Sequence, residues 1–274
     1  MKTKLKSPIG YMGGKHYTAD WICNHLDYSA NCYIELFGGG GSILFRKKPH
    51  RVEIFNDIND EVINFFLVLR ERTDEFIENV KLLPYSRKLY SLIKNNQYET
   101  DIQKAIKFFY VVKSSFSGKY GAGWSYSFIC RKPIYYHSII DLLSLIAERL
   151  KNVQLECRHY EDILKAIPEK EAPNINIYAD PPYFGTEFLY KNSKFDREDH
   201  YKLAEYFNKL NCKIIVSYYP HPEVYKLYPE PKWHYDYKQT TKYSYKSKNG
   251  NVKPRATEML IMNYEVKNSE SIFK

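Results

Sequence analysis

The sequence predicts an α/β fold with a mostly parallel central sheet and an inserted helical module, and three observations lead there. Short β-rich apolar runs near the start of the chain stop at glycines or at an acidic residue. Helical periods fill the middle third, and β-rich runs return afterwards. The first run, Cys32-Tyr-Ile-Glu-Leu-Phe37, ends on four glycines, and the second, Val52-Glu-Ile-Phe55, ends on Asn56-Asp57. Ser42 to Lys47 between them has room only for a short helix, so strand, glycine loop, helix, strand and acidic residue outline a βαβ nucleotide-binding unit.

From Asp60 to about Leu150 the pattern turns helical, as in Glu61 to Leu69 and Ile102 to Val112, with a glycine- and aromatic-rich break at Ser117 to Ser127. Strand character returns at Val153–Cys157, Ile175–Ala179, Lys213–Ser217 and Met259–Met262, with a helix expected from Asp196 to Leu210. Tyr235 to Lys253, rich in Lys, Tyr, Ser and Thr and carrying Asn249-Gly250, reads as an exposed basic hairpin or loop. The domain reading is therefore residues 1–60 and 150–274 as one domain and 61–149 as a helical insertion.

Composition narrows the class. The 274 residues are 44% hydrophobic and 16% aromatic, enough for a substantial core, and 41 basic against 32 acidic residues give a net charge of +9. That balance suits a polyanionic partner as well as a merely soluble basic surface, and the 27 tyrosines add rings on which bases could stack. Cys23, Cys32, Cys130, Cys157 and Cys212 stand singly, so neither a disulfide framework nor a cysteine metal site is expected, and the five read as reduced and mostly buried. The histidines are dispersed without zinc-site spacing, so no metal is expected, and His200 reads as a structural or surface residue. Met1 to Ser7 is basic but leads into Gly13, Gly14 and Lys15 rather than an apolar run. No secretory signal, no membrane span and a cytoplasmic location are expected.

Three motifs carry chemistry. Asp180-Pro181-Pro182-Tyr183 directly follows the strand ending at Ala179, on the edge where open α/β sheets bind ligands. Read structurally, two prolines end a strand, an aspartate caps and a tyrosine packs. Glu35-Leu-Phe-Gly-Gly-Gly-Gly-Ser42 puts bare backbone at the first strand's end, with Asp57 at the next strand end placed to meet ribose hydroxyls. A phosphate-cradling P-loop is excluded, because Ser42-Ile43 follows the last glycine and His16 follows Gly14-Lys15. Pro8-Ile-Gly-Tyr-Met-Gly-Gly-Lys15, taken alone, is a turn.

In this order the three motifs resemble the Dam-type (D12 class) DNA adenine N6-methyltransferases, whose pattern runs G-G-K, F-x-G-x-G, an inserted target-recognition domain and D-P-P-Y. The resemblance spans most of the chain. Tyr11 to Lys15 matches the first motif, Phe37, Gly39 and Gly41 the second, and Asp180 to Tyr183 the last, with weaker echoes in Tyr160-Glu-Asp162 and Glu258 to Tyr264. Leu36 replaces the proline usual before the phenylalanine, and Ser114 to Ser127 departs from the family's asparagine- and arginine-rich DNA-reading segment.

The resemblance implies a Rossmann-like S-adenosylmethionine-dependent methyltransferase fold, S-adenosyl-L-methionine as cofactor and double-stranded DNA as partner. It also implies donor contacts from Tyr11, Lys15, Phe37, Gly39, Gly41, Asp57 and Asp180, with Asp162 at the donor's adenine. Lys113, Lys119, Tyr120 and Arg131 are candidates for DNA contact or for a solvated basic face.

The D-P-P-Y word fits the chemistry. An exocyclic amine is a poor nucleophile, and a carboxylate with a backbone carbonyl can hold its hydrogens and turn its lone pair toward a donor. Asp180 supplies the carboxylate, Pro181 and Pro182 fix the carbonyl's direction, and Tyr183 can stack on a base flipped from the duplex. N4-cytosine methylation poses the same problem and is the neighbouring alternative. A catalytically silent nucleic-acid-binding protein of the same fold is the other. A cognate restriction endonuclease is a partner the resemblance allows.

Overall fold

The computed structural model describes residues 5–189, 194–241 and 255–265. Among them the chain forms, in order, α1 (Ala19–His25), β1 (Cys32–Glu35), β2 (Val52–Asn56), α2 (Asp60–Glu71), α3 (Thr73–Lys81), α4 (Arg87–Asn95), α5 (Asp101–Ser114), α6 (Lys132–Ile140), α7 (Leu143–Leu150), β3 (Val153–Glu156), α8 (Tyr160–Lys165), β4 (Ile175–Ala179), α9 (Arg197–Lys209), β5 (Lys213–Tyr218), α10 (Pro222–Leu227), β6 (His234–Thr241) and β7 (Arg255–Met262). The strands run β3-β2-β1-β4-β5-β7-β6. Pairs β2–β3, β1–β4 and β4–β5 are parallel, whereas β5–β7 and β6–β7 are antiparallel, so the sheet is mostly parallel as expected.

The chain divides into two compact units. One holds residues 1–19, 38–49 and 53–158, the other 20–37, 50–52 and 159–274. In the first unit, helices α2 to α7 occupy the sequence between the adjacent strands β2 and β3. Their apolar faces build a core rich in rings: Phe65 stacks on Phe109 with centroids 5.8 Å apart, and Phe76 meets Phe109 edge-on. α5 begins with a capping box in which Thr100 and Gln103 satisfy each other's exposed backbone donors. Buried Glu53 on β2 is held by Lys47 and by a bidentate Arg149 at 2.5 and 2.8 Å. Burial alone would raise its pKa, but the two cations outweigh burial and lower it.

In the second unit every residue of β4 is buried, between β1 and β5. α9 starts at Asp196, which forms a capping box with Asp199, and buries His200, Leu203, Ala204 and Phe207, a one-face helical stripe.

Two expectations need correcting. Ser42 to Lys47 forms a turn rather than a helix, bonded from Phe45 N to Gly41 O and from Lys47 N to Ile43 O. The hairpin or loop expected over Tyr235 to Lys253 begins within β6, which pairs antiparallel with β7; residues 242–254, with Asn249-Gly250, lie outside the described residues. Of the five free cysteines only Cys23 and Cys212 are buried; Cys32 is half-buried, and Cys130 and Cys157 are exposed. No helix among the described residues is long and apolar enough to cross a membrane.

Candidate active site

Strand order reverses between β1 and β4, which is the switch point where open α/β sheets place ligands, beyond the carboxyl ends of the strands. Glu35 pairs with Tyr178, and the Leu36 amide donates to the Tyr178 carbonyl at 3.0 Å, carrying the ladder one residue beyond β1. Phe37 and Asp180 therefore leave the sheet on one edge. Pro181 and Pro182 are buried and Asp180 is half-buried. The two prolines have fixed φ and no N–H, so this turn has little freedom.

Tyr183 is 8% exposed, and its hydroxyl donates to Glu258 Oε2 on β7 at 2.9 Å. Its ring meets Tyr219 edge-on, with centroids 4.6 Å apart, and packs at a tilt on Tyr218. Beneath the turn, Tyr178 and Ser217 share a hydrogen bond of 2.9 Å. Burial first, and then the charge of Asp180, holds both Tyr178 and Tyr183 well above the ordinary phenol range. Both stay neutral, so Tyr183 acts here as a ring and a donor rather than as a base.

Phe37 is braced by Tyr160 and Phe195, each with its centroid 5.7 Å away. Tyr160 is fixed in turn by its hydroxyl donating to Asp199 Oδ1 at 3.0 Å. Asp162 lies exposed in the first turn of α8. His200 is fully buried, which removes the surface reading: Nδ1 pairs with the Tyr218 hydroxyl at 2.8 Å and Nε2 with Glu187 at 3.1 Å. Phe184, next after the motif, stacks on its ring at 3.9 Å. His159, Glu161 and Asp199 bring ligand-type atoms within 4.8 Å of one another. Their carboxylates already hold donors, Lys165 and Tyr206 on Glu161, Tyr160 and the Asp196 amide on Asp199.

In the other unit the glycine loop is laid against an aromatic ring. Gly39 (φ +51°) and Gly41 (φ +71°) take left-handed backbone, and a Cβ on Gly39 would come 2.6 Å from the Tyr11 ring. Asp57, buried, ties the loop to the end of β2: Oδ2 accepts from the Gly39 amide at 2.7 Å and Oδ1 from the Asn59 amide at 2.8 Å. Burial raises its pKa, and those two bonds partly offset the rise. Gly14 N bonds back to Tyr11 O at 3.1 Å, and buried Lys15 turns its ammonium to Gly13 O at 3.0 Å.

The predicted DNA-contacting residues belong to this same unit. Lys113 is half-buried at a pocket of about 290 Å³ shared with Gly10, Ser115, Ser117, Ser125 and Lys132, and burial pushes its ammonium down to about 8. Lys119 and Arg131 are exposed. Tyr120 stacks on Phe108 at 5.6 Å and hydrogen-bonds Glu61. Gly10 of the N-terminal motif touches Gly118 backbone to backbone; a Cβ on Gly10 would come 2.9 Å from Gly118 O.

Sequence reasoning named every motif residue here but gave no role to Glu258, Tyr160, Phe195 or Gly10. Glu258 and Tyr160 stood inside the weaker echoes. The stripe of His200, Leu203, Ala204 and Phe207 is the signal that would have buried His200.

The family model described as D12 class N6 adenine-specific DNA methyltransferase matches residues 11–248. A DNA adenine methylase of Serratia marcescens is 27% identical over 228 residues, covering 78% of this chain and 82% of that one. The Type II methyltransferase M1.LlaDCHI of Lactococcus lactis subsp. cremoris is 24% identical over 282 residues, 96% of this chain and 97% of its own. The DNA adenine methylase of Escherichia coli strain K12 is 24% identical over 223 residues, 74% and 75%.

Proposed function

We propose, from the premise that the chain belongs to the D12 class N6 adenine-specific DNA methyltransferases, that it moves a methyl group from S-adenosyl-L-methionine to an adenine flipped out of duplex DNA. The observation that carries the reading is the switch point between β1 and β4, where the Leu36–Tyr178 hydrogen bond sends Phe37 and Asp180 out along one edge.

The residues fit the donor. Gly39 takes a backbone form that leaves no room for a side chain beside Tyr11, and Asp57 keeps lone pairs beyond those its two amide bonds use. We assign Tyr11, Lys15, Phe37, Gly39, Gly41, Asp57 and Asp162 to holding it, with ribose hydroxyls at Asp57. The bound sulfonium supplies an electrophilic methyl group. Asp180 accepts one hydrogen of the adenine amine, and a backbone carbonyl of the proline pair accepts the other, turning the lone pair outward. Tyr183, with its hydroxyl tied to Glu258, offers a ring in a fixed place for the base.

No covalent carrier is required, and the thiols suit that: burial pushes Cys212 up to about 12 and raises Cys157 as well. Residues 61–149 are assigned to target recognition, with Lys113, Lys119, Tyr120 and Arg131 facing DNA. One relative is a Type II methyltransferase, so a cognate restriction endonuclease is the partner to look for.

The test is methyl transfer from labelled donor to duplex DNA, followed by nucleoside analysis and mapping of the modified position. N6-methyladenine is expected; N4-methylcytosine, or no label with donor still bound, overturns the reading.

A further inference from the structure

Burying an imidazole is unfavourable unless its ring nitrogens are satisfied, and His200 is fully buried on α9 with both taken. Nδ1 lies 2.8 Å from the Tyr218 hydroxyl of β5, and Nε2 lies 3.1 Å from Glu187 Oε1. The partners decide where the protons are. Burial lowers the His200 pKa, and the carboxylates of Glu187, Asp199 and Asp196, which favour the charged form, offset it only in part. The ring is therefore neutral and carries one N–H. Burial works to raise the Glu187 pKa, but amide bonds from Glu187 itself and from Gly185, with the His200 bond, outweigh it and lower it. That carboxylate is ionised and can only accept, so the N–H is on Nε2 and Nδ1 accepts from Tyr218. A directed chain of hydrogen bonds runs from the Tyr218 hydroxyl through the imidazole to Glu187.

The rings around this chain are those of the site. Tyr218, held by its hydroxyl, packs its ring against Tyr183 with centroids 5.6 Å apart. Phe184, next after the motif, lies on the His200 ring at 3.9 Å and parallel to His221 at 5.1 Å. Phe195 meets the His200 ring edge-on at 4.9 Å and meets Phe37 edge-on at 5.7 Å. The imidazole thus touches the acceptor turn on one side and the brace of the donor-side phenylalanine on another.

A second observation separates this arrangement from ordinary core packing. Phe184, Glu187 and Phe195, each in contact with His200, line a cavity of about 620 Å³ that Arg197 and His221 share. His200 holds the wall of an open space next to the motif, where a reactant needs fixed groups.

We propose that His200 is a positioning residue for methyl transfer: the chain from Tyr218 to Glu187 keeps the Tyr183 and Phe184 rings in place relative to Phe37, and the site works only while Nδ1 is free to accept. A proton on Nδ1 reverses the bond to Tyr218, whose own hydrogen must then find another acceptor in a fully buried place. The proposal rests on the DNA-methylating reading above and deepens it.

The test follows single-turnover transfer from labelled donor to duplex DNA across pH, at saturating substrates, for the full-length protein and three variants. In the parent the rate should fall at acid pH with a midpoint below the ordinary imidazole range. His200→Phe keeps a flat ring against Phe184 but neither hydrogen bond. It should lose about 10- to 100-fold in rate, the scale of a small misplacement at the reacting atoms, with donor affinity unchanged and the acid limb gone. Glu187→Ala should lose rate as well. Glu187→Gln, whose amide oxygen still accepts from Nε2, should recover most of that loss, and its acid limb should move about one unit lower because no carboxylate favours the charged ring. A His200→Phe protein with the parental rate, or with a reduced rate and the parental pH profile, makes His200 a core residue and overturns the proposal. Should that variant fail to fold, Glu187→Gln decides, and an acid limb that stays in place overturns it. A parent protein that methylates no DNA overturns the reading beneath the proposal instead.

Discussion

The turn after β4 and the stretch from Ser115 to Arg131, between α5 and α6, both lie outside the long helices and strands of a DNA methylase, and they are made in opposite ways. In the first, Pro181, Pro182 and Tyr183 are buried, and the Tyr183 hydroxyl is taken by Glu258. In the second, Phe116, Tyr126, Phe128 and Ile129 are exposed, and so are Lys119 and Arg131. A group that must orient one amine gains from a dry, immobile setting, because a small displacement of a reacting atom loses rate steeply. Groups that meet a long polyanion gain from reach, provided their base is stiff. The contrast breaks most sharply at Asp180. Asp180→Ala should lower kcat by about a thousandfold, the scale of a positioned proton acceptor, with donor affinity and melting little changed. Near-normal labelling of DNA by that variant would remove Asp180 from the chemistry.

The same contrast holds between two glycines. Gly39 has φ +51° and the Tyr11 ring against its Cα, whereas Gly123 has φ +94° with nothing within 4 Å of the place a Cβ would take. Gly39→Ala combines backbone strain with a clash, and should weaken donor binding by about 10- to 100-fold and cost about 1–3 kcal/mol of stability. Gly123→Ala strains the backbone alone and should leave donor binding untouched. Titration calorimetry with the donor separates the two, and equal effects would mean that Tyr11 does not form the wall assigned to it.

How far the sequence could be read follows the same division. β1, β2, β3, β4 and β5 were legible because each is a short apolar run cut off by a turn signal. β6 was not: His234-Tyr-Asp-Tyr-Lys-Gln-Thr-Thr241 is polar, and pairing along β7 makes it a strand. Ser42 to Lys47 misled because its place between two strands in a βαβ outline suggested a short helix where the chain only turns. In the site, motif residues were legible because their property is local, a glycine's φ or a proline's missing N–H. Their partners were not, because Glu258 reaches Tyr183 and Phe195 reaches Phe37 only through the sheet and α9, and nothing in their neighbouring residues marks a contact distant in sequence.

Tyr183 sharpens the comparison at smaller scale. With its hydroxyl spent on Glu258, the ring is what remains for the base, so Tyr183→Phe should lower kcat by only about three- to tenfold and cost about 1 kcal/mol for the lost bond. Tyr183→Ala should fall well below it. A Phe variant as inactive as the Ala variant would give the hydroxyl the role assigned to the ring.

The smallest effect tests whether every cation assigned to DNA works from open solvent, because Lys113, unlike Lys119 and Arg131, is half-buried. Its pKa falls from 10.5 to about 8 through burial. Between those values the unfolded chain keeps a proton that the folded one has lost. Stability contributed by this group is therefore constant below about pH 8 and rises with pH toward 10.5. DNA binding runs the other way, since a phosphate contact needs the charged form and weakens as pH climbs through 8. Lys113→Met should flatten both trends: melting at pH 7 rises by about 2–4 °C as an apolar side chain replaces a poorly solvated charge, while DNA affinity drops a few-fold and its salt slope shrinks by about one. If the affinity of the variant still declines through pH 8 as steeply as that of the parent, another group carries the charge, and Lys113 is a packing residue.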